Sequence, residues 1–454
     1  MTMKKLKKQN RPKVALFAGA AALMALTPNT HAQSSVDALL NKLEQKGILT
    51  VDEAKELKTE NQQNSTNDFN KAFGSKFSMP DWITSYKLYG DFRGRFDEQT
   101  SDNAAFVDRI RLRYRLRVGL TVNMKDDLQV GFRLGSSDPA GGSYGGNPLS
   151  NNSTSQDNGT KKFIYVDAAY GKWTPINDGT WLLAATIGKM DQPFQASYMM
   201  FDPDYTPEGT ALQGTYKIND HHSIALNGAA FVLDEESKSS WDPFMFGGQL
   251  IWNATWSPRV ESSLGVAAYD IVNTGMLTTN NVPYINQGNT RKSNGGLMYN
   301  FNPIVASGSV TYKLDSFPLY KGAFPIKVAG EFMDNPAAPS QSDQGYWGGI
   351  TFGKSGRKGT WDLSYRYQYL EANAWYDQVV DDDNFAYYQS APVGGGSGIF
   401  GGTNMKGHLV KFNYSLTDAL TFAFTCYVND LINTVPGNSQ SHALHAMADI
   451  MWKF

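Results

Sequence analysis

The chain has 454 residues, of which 41% are hydrophobic, 13% aromatic and 19% charged, a size that suits two or three ordinary domains or one large all-β unit. Its mean hydropathy of −0.41 and its longest apolar run, the 13 residues Val14–Leu26, exclude a helical membrane protein, which needs about 18. A single cysteine, Cys426, excludes a disulfide framework and a thiolate-held metal cluster, leaving that side chain a small apolar one.

The first residues read as an export signal. Lys4, Lys5, Lys7, Lys8, Arg11 and Lys13 form a cationic head, the apolar run follows, and Thr30-His31-Ala32 supplies a small-residue cleavage site. Removing residues 1–32 leaves 35 basic against 43 acidic residues, a charge of −8 that argues against nucleic acid as a partner. Residues 33–60 read as a short helical segment. Val36, Leu39, Leu40 and Leu43 fall at helical spacing, and Thr50 with Glu53 forms a capping box ahead of Ala54 and Leu57. A polar linker over 61–80 ends at Met79-Pro80.

From there to the last residue the apolar period is two. In Arg109–Val122 the even positions Ile110, Leu112, Tyr114, Leu116, Val118, Leu120 and Val122 are apolar, whereas the odd ones begin with five arginines. Such a strand separates two very different solvents. Sixteen segments of this kind are predicted, at about 85–98, 106–122, 127–136, 161–174, 180–190, 209–218, 223–233, 245–256, 260–270, 301–314, 325–334, 346–354, 359–370, 406–416, 419–428 and 442–454. Connections after even-numbered segments are short and those after odd-numbered ones longer, with Asp315–Phe324 the exception. Even strand number, dyad alternation and this parity predict an all-β fold: a closed antiparallel transmembrane barrel over residues 81–454, with short turns on the periplasmic side. Trp181, Trp256, Trp361, Trp452 and Phe454 lie beside short connections or the terminus, as an interfacial aromatic belt would.

The leader, the sixteen alternating segments and the ending Ala448-Asp449-Ile450-Met451-Trp452-Lys453-Phe454 resemble Gram-negative outer-membrane porins, and the short helical segment ahead of the barrel resembles the putative-porin group. The resemblance implies an outer-membrane location, contact with lipid, passive diffusion of small hydrophilic solutes or ions, and a homotrimer. It also implies that Trp452 and Phe454 form the terminal signal read by the barrel assembly machinery.

No catalytic constellation or metal site emerges, and neither enzyme activity nor a cofactor is expected. His221 and His222 fall in a predicted turn, His442 and His445 lie near the last loop, and the glycines of Gly394–Gly398 lack phosphate-binding spacing. The sharp feature is basic. Arg93, Arg95, Arg109, Arg111, Arg113, Arg115, Arg117 and Arg133 share the non-lipid parity of neighbouring strands and are expected to line the pore as one wall. Neutralisation by neighbouring carboxylates is the competing expectation. The connection Asp191–Glu208 has the place of the porin loop that narrows the lumen, so Asp191, Asp202, Asp204 and Glu208 are expected to oppose the wall across a constriction. A selective anion or phosphate channel is the alternative within transport; a hydrolase or an adhesive barrel are alternatives outside it.

Overall fold

The computed structural model describes residues 80–140, 145–284, 287–387, 401–434 and 440–454. The leader, the helical segment, most of the linker and Gly394–Gly398 lie outside the described residues.

All sixteen expected segments are strands. They are β1 (Ile83–Ser101), β2 (Arg109–Met124), β3 (Leu128–Ser137), β4 (Phe163–Asn177), β5 (Trp181–Lys189), β6 (Glu208–Lys217), β7 (His222–Val232) and β8 (Phe244–Ser257). The second half comprises β9 (Val260–Val272), β10 (Ile304–Leu314), β11 (Phe324–Asp334), β12 (Gln344–Gly353), β13 (Trp361–Leu370), β14 (Met405–Ser415), β15 (Leu420–Leu431) and β16 (Ala443–Lys453). A two-residue segment, Ser153–Thr154, adds to β2 where β3 has ended. Each strand pairs antiparallel with the next. β1 also pairs with β16, from Asp91↔Lys453 to Ser101↔Ala443, so the sheet closes on itself.

Closure removes every edge that a hydrocarbon environment could not satisfy. The period of two then sorts the side chains. Leu88, Leu112, Leu116, Val130, Leu226, Leu250, Val310 and Val328 stand exposed on the outer face, an apolar band that meets lipid. Trp181, Trp256, Trp452 and Phe454 are exposed beside the short turns. The terminal residue completes the seam: Phe454 N–H donates to the Gly90 carbonyl (3.1 Å), and the Phe454 carbonyl oxygen accepts from Gly90 N–H (2.9 Å). Gly90 is needed there, because a Cβ would stand 2.3 Å from the Arg117 backbone carbonyl oxygen.

Three long connections turn into the barrel. Phe194, Met199, Met200 and Phe201 from the β5–β6 loop, Leu277 and Leu297 from the β9–β10 loop, and Trp375, Val379 and Val380 from the β13–β14 loop share one core. Its other wall is the inner face of β7–β11 and β13, contributed by Phe231, Met245, Tyr269, Ile271, Val305, Met333 and Leu370. The core is thus apolar packing inside a barrel, on the side away from the arginines. It escapes a period-two reading because loop residues carry half of it.

Candidate functional site

The arginines lie on the inner face of the seam. Cross-strand register sets Arg93 opposite Arg115, Arg95 opposite Arg113, Asp91 opposite Arg117 and Asp97 opposite Arg111. Like charges directly opposite on one face repel, so this arrangement stands only with counter-charges close by. Strand neighbours supply some of them. Arg117 Nε donates to Asp91 (2.8 Å), Arg115 Nε to the same carboxylate (2.9 Å), Arg111 Nε to Asp97 (2.9 Å) and Arg95 Nε to Asp449 of β16 (2.8 Å). Arg133 on β3 donates to Asp167 of β4.

The loops supply the rest. Asp204 of the β5–β6 loop accepts from Arg115 Nη1 (3.0 Å) and Arg117 Nη1 (3.3 Å). Asp191 accepts from Arg133 Nη2 (2.7 Å), and Asp383 of the β13–β14 loop accepts from Arg95 Nη1 (3.0 Å). The loop carrying Asp191 and Asp204 therefore does enter the barrel and does meet the arginines. The expected line of free, hydrated positive charge does not exist in that form: the wall is a buried ion-pair lattice, because packed guanidiniums at this spacing need compensation. Arg93 and Arg113 are the least compensated members, with carboxylate oxygens at 3.9 and 3.7 Å and buried Nε atoms that meet no acceptor.

Three residues fall elsewhere than expected. Arg109 is exposed at the outer end of β2, away from the lattice. Glu208 opens β6 rather than ending the loop, and its carboxylate pairs with Lys189 (3.1 Å), not with the wall. Asp202 is inside the barrel but turns from the arginines towards the β13–β14 loop, where it accepts from Asp382 N–H (3.3 Å). His445, near the last loop and within the strand expected over 442–454, is on β16. It sits on the inner face of β16, 1% exposed, with Nε2 3.1 Å from Asp97 and Nδ1 2.7 Å from the Asp383 carbonyl oxygen. His221 keeps to the β6–β7 turn; His222 opens β7, stacked on Trp252. Trp452 packs on Phe92, their ring centroids 5.6 Å apart.

Where the two loops meet, Asp202, Asp381 and Asp382 bring carboxylate oxygens within 4.8 Å of one another. Burial, then the neighbouring Asp383, pushes Asp382 up to about 8 and Asp381 up to about 6; burial and Asp382 raise Asp202 well above the carboxylate range. Burial also acts on Asp383 and Asp204, yet the arginines hold both below it: Arg95 for Asp383, Arg115 for Asp204. The arginines thus favour the charged form of the carboxylates that face the wall, and burial favours the protonated form of those between the loops. Backbone bonds fasten the same junction, with Asp202 N–H to the Val379 carbonyl (2.8 Å) and Trp375 Nε1–H to the Met200 carbonyl (2.7 Å).

Several partners were within reach of sequence reasoning. Asp91 and Asp97 share the odd parity of Arg93 and Arg95 on the same strand. Asp449 has the non-lipid parity of the last strand. Nothing local marks Asp383, 288 residues from Arg95.

A closed barrel with a lipid-facing apolar band and a charged inner face crossed by loops has the architecture of porin-type outer-membrane channels. In keeping with it, the model of the family described as "Putative porin" matches residues 101–302, from the end of β1 to just before β10. Among solved structures the chain is similar to OprB of Pseudomonas putida at high pH, with 11% identity, 81% of this chain and 94% of that chain covered, and a TM-score of 0.48. It is also similar to the outer membrane channel DcaP of Acinetobacter baumannii, with 13% identity, coverages of 82% and 97%, and a TM-score of 0.42. A triple mutant of the Rhodopseudomonas blastica porin gives 10% identity, coverages of 81% and 100%, and a TM-score of 0.40. No curated protein matches.

Proposed function

We propose that the channel passes small hydrophilic solutes and ions passively, without cofactor or catalysis, through a lumen whose narrowest level is the meeting of the two loops with the arginine lattice. The observation that carries this reading is the inner face itself. Below the lattice, towards the short turns, it bears Lys87, Thr121, Asn123, Gln129, Lys172, Thr215, Asn253, Ser263, Thr311, Lys327 and Thr351, side chains that have no place in an apolar plug. A water-filled vestibule keeps them hydrated at no cost. Opposed fixed charges at the loop level would orient polar solutes by a transverse field.

The reading extends to the whole chain. Residues 1–32 would direct export and be removed, 33–60 would form a periplasmic helical segment, and the barrel would assemble as a homotrimer after recognition of Trp452 and Phe454 by the assembly machinery. The experiment is conductance of purified protein in planar bilayers together with liposome swelling in neutral sugars. Stepwise ohmic conductance and sugar-dependent swelling are expected. Tight, non-conducting protein that swells no liposome would refute passive diffusion.

A further inference from the structure

Since carboxylates compensate most of the wall's positive charge, cations without such partners bear directly on selectivity. Arg366 on the inner face is one of these: no carboxylate oxygen lies within 4.0 Å of it. It sits on β13, opposite Gly349 of β12 and Leu409 of β14, with its guanidinium carbon 5.5 Å from the Tyr198 ring centroid and 5.6 Å from that of Trp347. Its Nε and Nη2 are covered and meet no acceptor, whereas Nη1 is neither covered nor bonded. Lys411 on β14 approaches the same Tyr198 ring, with Nζ 6.0 Å from its centroid, and makes no ion pair either. Lys411 pairs in register with Ser364, two positions from Arg366 on the same face, so the two cations are neighbours. Two residues beyond Arg366, Gln368 is 3% exposed and neither of its amide atoms has a partner.

Tyr198 is not a loose lid on this patch. It belongs to the β5–β6 loop, its carbonyl accepts from Asp381 N–H (3.3 Å), and neighbouring Ser197 donates to Glu331 (2.5 Å). Glu331 and Asp381 act on Arg366 only from beyond ion-pair distance. Ring faces stabilise the two cations without neutralising them, and donors left without acceptors beside a buried amide are costly unless a ligand completes them.

We propose that Arg366 and Lys411, bracketing Tyr198, form a recognition site for small carboxylate solutes, and that this pair rather than the arginine lattice makes the channel favour organic anions. The proposal rests on the channel reading above. A carboxylate would take its hydrogen bonds from Arg366 Nη1 and Lys411 Nζ, while Tyr198 and Trp347 border the carbon skeleton. The site lies on β13 and β14, with β15 between it and the strand that carries Asp449, and neither cation has a carboxylate oxygen within ion-pair distance.

The test uses the full chain in planar bilayers, with succinate as probe and potassium chloride as carrier. Succinate should reduce the chloride current of the wild-type channel. In the R366Q/K411Q variant the concentration needed should rise about tenfold or more, the loss expected when charge-assisted hydrogen bonds are removed. Reversal potential in a low-salt gradient should move towards cations, and swelling in arabinose should be unchanged. R366K/K411R should restore the potential and only part of the succinate effect, because lysine lacks the guanidinium fork. If the double variant fails to fold, K411Q alone, on a half-exposed side chain, should still weaken the succinate effect severalfold. Equal succinate sensitivity in wild type and variants overturns the site while leaving the pore intact. Absence of any wild-type conductance overturns both.

Discussion

Asp382 carries the clearest pH signature in the molecule. Its carboxyl, buried against Asp383 and Asp381 and only partly relieved by Arg113, is pushed up to about 8. A carboxyl raised in the folded state keeps its proton when the unfolded loop has lost it, so the docked loop binds more protons and its stability falls as pH rises. The window runs from the ordinary carboxylate value up to about 8, with Asp381 contributing below about 6. Asp383, held low by Arg95, stays charged throughout and does not oppose the trend. Protease cleavage within the 371–387 segment should therefore be faster at pH 9 than at pH 5. D382N should flatten that dependence, and a profile equally steep in the variant would locate the titrating group elsewhere. Arg115 makes the complementary case. Its side chain bridges Asp91 and Asp204 while nearly buried, so R115Q leaves two carboxylates short of a partner. Removing one partner of a buried pair costs about 3–5 kcal/mol. R115Q should lower the temperature at which the barrel loses its compact gel mobility, and R115Q/D204N should recover part of the loss.

Among the elements, the inward loops and the strands obey different physics. Trp375 is fully buried and bonded to the Met200 carbonyl, so it holds the β13–β14 loop against the β5–β6 loop. Truncating a buried tryptophan to alanine costs about 3–5 kcal/mol. Here the loss falls on loop docking and not on the hydrogen-bonded barrel. W375A should insert normally and keep its compact mobility, yet show larger and noisier unitary conductance. Unaltered single-channel records would mean that the loops do not bound the conducting path. The same division explains what could be read in advance. The strands were legible because lipid and water impose opposite demands on alternate residues, as in Ile110 to Val122 against Arg109 to Arg117. The loops were legible only as lengths. Phe194 and Trp375 owe their packing to residues nearly two hundred positions apart, and no local period records it. The site was half legible: parity placed the arginines, but their neutralisation depends on Asp383 and Asp449, which only closure brings near.

At the level of the whole molecule, orientation follows from turn length. Pro258 and Arg259 form the two-residue β8–β9 turn, while Lys238 and Ser239 lie in the longer, exposed β7–β8 connection. Porins place short turns in the periplasm. An epitope inserted after Lys238 should be labelled on intact cells, and one inserted after Pro258 only once the outer membrane is opened. Equal labelling at both sites would contradict the arrangement.

The seam also dictates when the molecule can exist at all. Arg95 and Asp449 are 354 residues apart in sequence and in contact at 2.8 Å, and Phe454 is hydrogen-bonded to Gly90. Bringing such distant segments together costs about 5 kcal/mol in chain entropy by the logarithmic rule for loop closure. Arg95 finds its Asp449 partner, and β1 its second neighbour, only when the last dozen residues arrive. A chain still emerging from export is therefore an open ribbon with two sticky margins and uncompensated guanidiniums, unfit for hydrocarbon and prone to pair with other chains. Completion behaves like a latch thrown by the final residues, so the finished barrel and the truncated one differ in kind, not in degree.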